Sequence, residues 1–390
     1  MRMTVVEPGG LWGPLSDALA GGSVVAPAAD AATVAMLRPD VPVAEPDAAL
    51  IVATSGSTGR PKGVVLSRAA LAASASATHE RLGGPGTWHC ALPTTYVAGV
   101  MTLVRAHFAG TEPVFVASDL SDLLAGVQRN YLSLVPTQLH RALDDPGLVD
   151  RLAAFDAVLL GGAAIAPELR GRAEASGITI VATYGMSETC GGCVYDGVPL
   201  PGVSIDIATF AGGGGDLGAE LPGPSPLDPH TSRSAQESPV GRVLIGGPML
   251  FSGYRLDPDA SAAALAGGRF LTSDRGQLDA DGRLRILGRV DDVVISGGVN
   301  VDLAAAQAVA DAVLGTPEAG GIVLAGVPDA HWGTKVVAVT ASELTTDEVR
   351  TRLAARLGRE ALPWEVRRVD SLPRTANGKI DRQRIITTWR

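Results

Sequence analysis

The chain has 390 residues, of which 46% are hydrophobic and 19% charged, so it can form two or three domains with a large core. Its 32 Lys and Arg against 41 Asp and Glu give a net charge of −9, which argues against nonspecific nucleic-acid binding. The three cysteines are too few for a disulfide scaffold and fit a reducing compartment. We find no apolar run with the length of a signal peptide or a membrane span, and therefore expect a soluble, cytoplasmic protein.

The apolar segments in the first half of the chain are short and end at glycine. Residues 49–53, 158–160 and 178–183 each run into a glycine-containing loop, whereas the Ala-rich residues 66–79 are compatible with a helix. Such short apolar segments are typical of buried strands in a mostly parallel sheet. Ligands bind these sheets at the carboxyl ends of the strands, where the glycine loops lie. The pattern predicts an α/β fold with a ligand site at that edge.

The second half of the chain begins with an unusual segment. Residues 211–239 hold six Gly and five Pro, which predicts a flexible surface insertion. Strand character resumes at 243–247 and returns at 283–289.

The last hundred residues read as a small α+β unit. We expect helices at 302–314 and 346–357 and strands at 321–327 and 335–341. We place the domain boundary between residues 289 and 290. Residues 1–289 then form a large N-terminal domain of mostly parallel sheets with helices, and 290–390 form a small, mobile C-terminal domain.

The strongest local signal is the segment Thr54 to Gly63, with the sequence TSGSTGRPKG, directly after a predicted strand. Glycines let backbone N–H groups approach an anion closely, and hydroxyl and ammonium groups add further donors. The chemistry is that of a phosphate-binding loop. It is not a Walker motif, because Pro61 stands five residues after Gly56 and Lys62 is followed by Gly63. Taken alone, the segment could also be an ordinary Ser/Gly-rich turn.

This segment resembles the phosphate-loop signature of the adenylate-forming superfamily, which activates carboxylates with ATP. Five further segments resemble signatures of that superfamily and occur in its order. They are Gly161–Ala164 (GGAA), Tyr184–Thr189 (YGMSET), Thr272–Gly276 (TSDRG), Gly288–Asp292 (GRVDD) and Leu372–Lys379 (LPRTANGK). Each alone is also compatible with a turn or a solvated surface, but six in order cover nearly the whole chain. The early phosphate loop implies an N-terminal domain shortened at its start.

The resemblance implies a role for each matching residue. Lys379, Glu188 and Thr54 would be catalytic, with Glu188 also holding Mg²⁺. The ATP-binding residues would be Ser55, Gly56, Ser57, Thr58, Gly59, Lys62, Gly162, Ala163, Tyr184, Gly185, Ser187, Asp274 and Arg289. Asp291 would be the hinge of the C-terminal domain, and Ser296, Gly297 and Gly298 would line the path of CoA. ATP and CoA are implied as substrates, Mg²⁺ as cofactor, and a homodimer as a possible assembly.

The sequence constrains the carboxylate less strongly. The pocket segment Leu92–Val100 has no acidic residue, unlike members that activate amino acids, and lacks the His found in many acyl- and aryl-CoA ligases. Three segments instead resemble the o-succinylbenzoate–CoA ligases of menaquinone biosynthesis: 134–139, 189–197 and 295–300. A substrate with a second carboxylate suits an arginine partner. The candidate substrate residues are Tyr96, Arg105, Thr137, Arg141 and Met186.

Two other motifs carry weaker signals. Cys190 and Cys193 have the spacing of half a zinc site, but no second pair follows, and we interpret both as packing residues. The glycines at 213–218 match a dinucleotide-binding fingerprint, yet the Pro-rich residues after them cannot form the required helix.

Four functions remain open from the sequence. The favoured one is a CoA ligase for an aromatic keto-diacid. The others are a CoA ligase for another acyl or aryl acid, a catalytically silent nucleotide-binding protein, and an amino-acid adenylation domain.

Overall fold

The structure, a computed structural model, describes residues 1–54, 61–209, 238–374 and 380–389. The strands in chain order are β1 Met3–Val6, β2 Val24–Pro27, β3 Ala48–Thr54, β4 Lys62–Ser67, β5 Thr87–Cys90, β6 Val114–Phe115, β7 Asn130–Leu134, β8 Ala157–Leu160, β9 Ile180–Met186, β10 Gly191–Tyr195, β11 Val198–Pro199, β12 Ser204–Ala208, β13 Gly241–Gly246, β14 Gly253–Tyr254, β15 Leu265–Ala266, β16 Arg269–Leu278, β17 Leu284–Arg289, β18 Val293–Ser296, β19 Val299–Asp302, β20 Val323–Asp329, β21 Gly333–Thr340 and β22 Val366–Arg368.

The helices follow the same chain order. They are α1 Trp12–Leu19, α2 Ala31–Leu37, α3 Arg68–Arg81, α4 Val97–Ala109, α5 Pro136–Ala142, α6 Pro146–Ala153, α7 Pro167–Ala175, α8 Pro258–Ala264, α9 Leu303–Leu314, α10 Thr346–Leu353 and α11 Arg382–Thr388. None of the helices in the described ranges is both long enough and apolar enough to cross a membrane.

The first two sheets are built largely from parallel strands. The first has the order β1-β2-β3-β4-β14, with β1, β2 and β3 parallel. The second has the order β11-β10-β9-β8-β7-β5-β6, and its five strands from β9 to β6 are parallel. Helices α3 and α4 pack on each other and contribute to the core beside these sheets. The α/β fold expected from the sequence is confirmed.

Two further sheets complete the structure. In the third sheet β12, β13, β16 and β15 are antiparallel neighbours, and β17 pairs with β16. The fourth sheet contains only strands that begin after residue 292, in the order β19-β18-β21-β20, with β22 added to β21. The predicted boundary at 289/290 thus falls between β17 and β18. Most of the predicted insertion, namely residues 211–237, lies outside the described residues.

The strand predicted at 178–183 differs from the observed β9, which runs on to Met186. Its last residues pair with β10, so that Gly185 lies opposite Gly192 and Met186 opposite Gly191. A Cβ atom on Gly185 would lie 2.0 Å from the carbonyl oxygen of Gly191, which explains why glycine is required there. Cys190 closes the turn in the left-handed region, with φ of 50°. The segment that we expected to be a loop is therefore the end of a strand in a hairpin.

Arg255, directly after β14, links the first sheet to the segment that follows α2. Its buried guanidinium donates hydrogen bonds to the carbonyl oxygens of Leu37 (3.1 Å), Arg38 (2.9 Å), Pro42 (3.0 Å) and Val41. These acceptors lie at the carboxyl end of α2 and in the turn behind it, where helix carbonyls lack partners within the helix. The side chain thus provides hydrogen bonds to several carbonyl oxygens that have no partner within the helix.

We expect Arg255→Met to lower the free energy of unfolding by about 2–3 kcal/mol, because several carbonyls lose a charged donor together. Denaturant titration of both proteins measures the difference. Arg38→Met is the matched control, since its guanidinium pairs with Asp40 in solvent and its loss is expected to cost less than about 0.5 kcal/mol. Equal losses in the two variants would contradict this account.

His79 on α3 is buried near the Arg105 cation. Its Nε2 accepts a hydrogen bond from Trp88 Nε1 (3.1 Å). Burial, with the nearby Arg105 cation adding to it, lowers the pKa of His79 to about 4. The folded protein therefore keeps this imidazole neutral at pH values where the unfolded chain protonates it.

The stability of the protein is expected to depend on pH through His79. Because its folded pKa lies below its unfolded value of about 6.5, the contribution is complete above pH 6.5 and is lost as pH falls towards 4. His79→Gln should make the slope of unfolding free energy against pH shallower by up to about 1.4 kcal/mol per pH unit in this window. His140→Gln, on the exposed face of α5, is the matched control for the replacement of a histidine by glutamine. Identical slopes for wild type and His79→Gln would refute the assignment.

Candidate active site

The parallel order of the second sheet brings several predicted residues to one edge. The carboxyl ends of β5, β7, β8 and β9 all lie there. Tyr96 follows β5 and caps α4, while Thr137 follows β7 in the first turn of α5. Gly162 and Ala163 follow β8, and Tyr184 and Met186 end β9. Elements far apart in sequence therefore converge at the edge where a ligand is expected.

Close approach between neighbouring strands shapes this edge. A Cβ atom on Gly161 would lie 2.4 Å from Thr183 Oγ1, so a larger residue there would displace β9. Gly162 then turns with φ of 82°, a conformation that favours glycine. Gly162 and Ala163 are exposed, consistent with a small-residue surface for a flat ligand.

Tyr184, Asp274 and Arg289 form a compact group across two sheets. The Tyr184 hydroxyl donates to Asp274 Oδ2 at 2.7 Å, and the two atoms belong to β9 and β16. Asp274 pairs in register with Arg289 at the end of β17, and the Arg289 guanidinium lies 4.0 Å from Asp274 Oδ1. Burial, together with the adjacent Asp274 carboxylate, raises the pKa of the Tyr184 phenol, which therefore remains a donor. The group offers a ring face, a carboxylate and a cation.

Arg289 also makes a two-point ion pair with the predicted hinge residue. Its Nε and Nη2 atoms lie 2.9 Å and 3.0 Å from the two oxygens of Asp291. Asp291 belongs to a short turn, Val290–Asp292, that joins the third sheet to the fourth. The nucleotide-contacting candidate and the hinge candidate are thus directly linked by a bidentate pair.

Glu188 follows β9 in the turn Ser187–Thr189. Its Oε1 accepts a hydrogen bond from the Tyr254 hydroxyl at 2.9 Å, and its backbone carbonyl accepts from Phe251 N at 2.9 Å. Burial raises the pKa of this carboxyl group, while the Tyr254 hydrogen bond and the Lys62 ammonium oppose that rise. Lys62 Nζ itself lies 4.4 Å from the centre of the Tyr254 ring. Tyr254 was not among the residues predicted from sequence.

The two ends of the predicted phosphate loop are paired. Thr54 ends β3 opposite Lys62 at the start of β4, and Thr54 Oγ1 donates to the Lys62 carbonyl at 3.4 Å. The remaining phosphate-loop candidates, Ser55, Gly56, Ser57, Thr58 and Gly59, lie outside the described residues, as does Lys379.

The two candidate arginines differ in their exposure to solvent. Arg105 lies on α4 nine residues after Tyr96, the residue that precedes the helix, and thus about 13 Å farther along the helix axis. It is 4% exposed, donates to the Tyr195 hydroxyl at 3.3 Å and lies 5.0 Å from the Trp88 ring. This burial does not support a contact between Arg105 and a substrate. Arg141, in the last turn of α5, is exposed and stays a prediction.

Ser296, Gly297 and Gly298 lie in the hairpin between β18 and β19. Both glycines have positive φ, 59° and 83°. Gly297 N donates to the Trp332 carbonyl at 3.0 Å, and a Cβ atom at Gly297 would lie 2.9 Å from the Trp332 ring. The glycine turn is therefore packed closely against an aromatic side chain.

The fourth sheet contacts the third near the hinge. The Arg275 guanidinium of β16 contacts the Asp302 carboxylate, which also caps α9 through the backbone N–H groups of Ala304 and Ala305. Gly288 faces Ala304 so closely that an added Cβ would come within 2.4 Å of the alanine Cβ.

Cys190 and Cys193 are both buried, and neither forms a disulfide. Burial raises the pKa of Cys193 to about 12, so its thiol is not activated as a nucleophile. The interpretation of both as packing residues is confirmed by their place in the core.

Comparison with known proteins defines the class of this chain. Residues 15–255 match the AMP-binding enzyme family and residues 304–379 match the AMP-binding enzyme C-terminal domain. The chain belongs to the AMP-binding enzyme family.

Several named relatives cover most of the chain. A probable 2-succinylbenzoate–CoA ligase of Mycobacterium tuberculosis is 40% identical over 87% of this chain and 84% of that protein. The 2-succinylbenzoate–CoA ligase of Enterococcus faecalis is 31% identical over 88% of this chain and 70% of that protein. A feruloyl-CoA synthase of Amycolatopsis is also 31% identical, over 88% and 70%.

Solved structures show the same fold. ATP-bound MatB from Rhodopseudomonas palustris superposes with a TM-score of 0.73 and 26% identity, over 100% of this chain and 79% of that chain. The o-succinylbenzoate coenzyme A synthetase of Bacillus subtilis gives a TM-score of 0.68 at 24% identity, over 87% and 69%.

Proposed function

We propose that this protein is an ATP-dependent CoA ligase that forms an acyl-adenylate and then a CoA thioester of 2-succinylbenzoate, in menaquinone biosynthesis. The observation that carries the proposal is the group formed by Tyr184, Asp274 and Arg289 beside Glu188, in a chain of the AMP-binding enzyme family. Three relatives are named as a probable 2-succinylbenzoate–CoA ligase, a 2-succinylbenzoate–CoA ligase and a feruloyl-CoA synthase, which supports a CoA thiol as the final acceptor.

The chemistry requires two displacements. In the first, a carboxylate oxygen attacks the α-phosphorus of ATP, the bond to the β-phosphate oxygen breaks, and pyrophosphate leaves. In the second, the CoA thiolate attacks the acyl carbonyl carbon. The bond between this carbon and the phosphate oxygen of AMP breaks, and AMP leaves. Negative charge gathers at the α-phosphate in the first step, so oriented cations and donors supply most of the catalysis.

The described residues can hold the nucleotide at three points. The Tyr184 ring would lie against adenine, Asp274 would accept hydrogen bonds from the ribose hydroxyls, and Arg289 would contact the nucleotide. Lys62, with Thr54 and the loop between them, would bind the terminal phosphates. Lys379 would bridge the carboxylate and the α-phosphate in the first step.

A Mg²⁺ ion would be held by Glu188. Among the residues that the structure describes, no three or more His, Cys, Asp or Glu side chains are grouped so that they could hold a metal ion by themselves. Protein Mg²⁺ sites at nucleotides commonly use one or two carboxylates plus phosphate oxygens and water, so a single Glu fits this ion. When bound, the ion neutralises phosphate charge.

The proposed acyl pocket lies at the edge formed by β5, β7 and β9. Tyr96, Thr137 and Met186 stand there, and Arg141 is the remaining arginine candidate for the second carboxylate. Rotation about Asp291 would exchange Lys379 for the glycine turn at 297–298 between the two steps. A cytoplasmic location, which the reduced cysteines suit, and a homodimer are also part of the proposal.

One experiment separates the candidate functions. The protein is incubated with MgATP, CoA and one acid from a set containing 2-succinylbenzoate, benzoate, ferulate, medium-chain fatty acids and amino acids, and thioesters are measured by mass spectrometry. The proposal predicts thioester from 2-succinylbenzoate, with the Lys379→Ala protein as the control for contaminating ligases. A preference for ferulate would favour an aryl-CoA ligase, in line with the feruloyl-CoA synthase relative. Absence of every thioester would contradict the proposed ligase and leave the silent nucleotide-binding protein and the amino-acid adenylation domain as the candidates.

A further inference from the structure

Tyr254 occupies a fixed position beside the predicted phosphate site. It belongs to the two-residue strand β14, which pairs antiparallel with β4 so that Tyr254 lies opposite Val64. Its backbone N–H donates to Ser261 Oγ at 2.8 Å, and the residue is 8% exposed. The ring also packs against Phe251, with centroids 5.0 Å apart. The side chain therefore has little freedom to move.

Two groups of opposite charge meet at this one side chain. The Tyr254 hydroxyl donates to Glu188 Oε1 at 2.9 Å. Lys62 Nζ stands 4.4 Å from the centre of the same ring, within the range of a cation–π contact. Phe251 N meanwhile donates to the Glu188 carbonyl, so the segment from Phe251 to Tyr254 holds Glu188 by backbone and side chain.

This arrangement solves a problem that a nucleotide site poses when it is empty. A partly buried carboxylate is stabilised by a hydrogen-bond donor, and an ammonium beside it is stabilised by an electron-rich partner. If Lys62 and Glu188 paired with each other, both would have to separate before phosphate and metal could bind. The tyrosine gives the carboxylate a hydroxyl and the ammonium a π face, and both remain in place. A hydrogen bond to Oε1 also fixes the rotation of the carboxylate.

We propose that Tyr254 is a positioning residue of the nucleotide site: its hydroxyl orients the Glu188 carboxylate towards a divalent cation, and its ring holds the Lys62 ammonium ready for phosphate. The inference rests on the proposed function, since the roles of Glu188 and Lys62 belong to it. It assigns different tasks to the two parts of one side chain, and substitutions can separate them.

The test measures binding, so that it does not depend on turnover. Tyr254→Phe removes the hydroxyl and keeps the ring, whereas Tyr254→Leu removes both. Binding of Mn²⁺ with a non-hydrolysable ATP analogue is followed by electron paramagnetic resonance of free Mn²⁺, and binding of the analogue without metal by calorimetry. We expect Tyr254→Phe to weaken Mn²⁺ binding about 5–10-fold and to leave metal-free nucleotide binding unchanged. Tyr254→Leu should weaken both.

Tyr131→Phe is the matched control. Tyr131 is fully buried, and its hydroxyl donates to the carbonyls of Gly84 (2.9 Å) and Leu82 (3.1 Å), away from the nucleotide site. The Tyr131→Phe variant should bind Mn²⁺ and the nucleotide analogue as wild type does. That result would show that the loss of any buried tyrosine hydroxyl does not by itself weaken Mn²⁺ binding.

A double-mutant cycle with Glu188→Gln gives the decisive comparison. If Tyr254 acts through Glu188, adding Tyr254→Phe to Glu188→Gln should weaken Mn²⁺ binding by less than about twofold further. Additive losses, or wild-type Mn²⁺ binding by Tyr254→Phe alone, would overturn the proposal. Failure of the ligase function is a separate result: a wild-type protein that binds the Mn²⁺–nucleotide complex but makes no thioester refutes the ligase, while the cycle still decides the role of Tyr254.

Discussion

The Lys379→Ala variant is expected to form acyl-adenylate about 10²–10³-fold more slowly than wild type. The proposed reaction brings a carboxylate to an anionic phosphate, and Lys379 would supply the cation at the point where charge accumulates. Conversion of synthetic acyl-adenylate and CoA to thioester should stay within about twofold of wild type, because the proposed rotation about Asp291 would have removed Lys379 from the site before that step. Single-turnover measurements of the two half-reactions provide this comparison.

Lys335→Ala is the matched control for the first half-reaction. Lys335 also belongs to the C-terminal part of the chain, where its ammonium pairs with Asp329 at 2.6 Å. Its loss should leave acyl-adenylate formation at the wild-type rate. Equal slowing of both half-reactions by Lys379→Ala would show that this lysine supports the fold or the nucleotide generally, and would contradict its assigned role.

Asp274→Ala is expected to raise the KM for ATP about 100-fold with a much smaller change in kcat. The carboxylate would accept hydrogen bonds from both ribose hydroxyls, and each charged hydrogen bond contributes about 1.5–3 kcal/mol. The variant also removes the acceptor of the Tyr184 hydroxyl at 2.7 Å and the anion 4.0 Å from Arg289. Steady-state kinetics at saturating carboxylate measures the effect.

Asp281→Ala tests whether any acidic residue of the same hairpin would give this result. Asp281 lies in the exposed turn between β16 and β17, so its removal should leave the KM for ATP unchanged. Asp274→Asn should fall between the two, because an amide oxygen still accepts hydrogen bonds but carries no charge. An unchanged KM in Asp274→Ala would remove Asp274 from the nucleotide site.

The α/β fold and the glycine positions of the candidate site were predictable because they depend on short sequence motifs. Gly185 has to be glycine since the carbonyl of Gly191 occupies the space of a side chain, and such a requirement leaves a visible signature. The apolar segments ending at glycine likewise indicated the parallel strands whose carboxyl ends form the site edge. These signals are local, and a local signal can be read from a single sequence.

The features that sequence did not reveal depend on contacts between distant segments. Tyr254 reaches Glu188 across 66 positions of sequence, and its own signal is only a Gly-Tyr pair after an apolar segment. Arg105 was a substrate candidate because an arginine suits a second carboxylate and this one follows the pocket segment, but packing of α4 against Trp88 and Tyr195 buries it. The end of β9 was expected to be a loop because its glycines conceal the pairing with β10. In each case the observed structure depends on a contact between separate segments of the chain, and such contacts leave no local signal.

An isotope-transfer measurement tests the central claim most directly. The carboxylate substrate is labelled with ¹⁸O in both oxygens, and the products formed with MgATP and CoA are examined by mass spectrometry. Attack on the α-phosphorus followed by thiol displacement leaves one ¹⁸O in the phosphate of AMP and the other in the thioester carbonyl. Labelled AMP is the result that the account predicts. Formation of ADP with label in inorganic phosphate, or of unlabelled AMP, would contradict it.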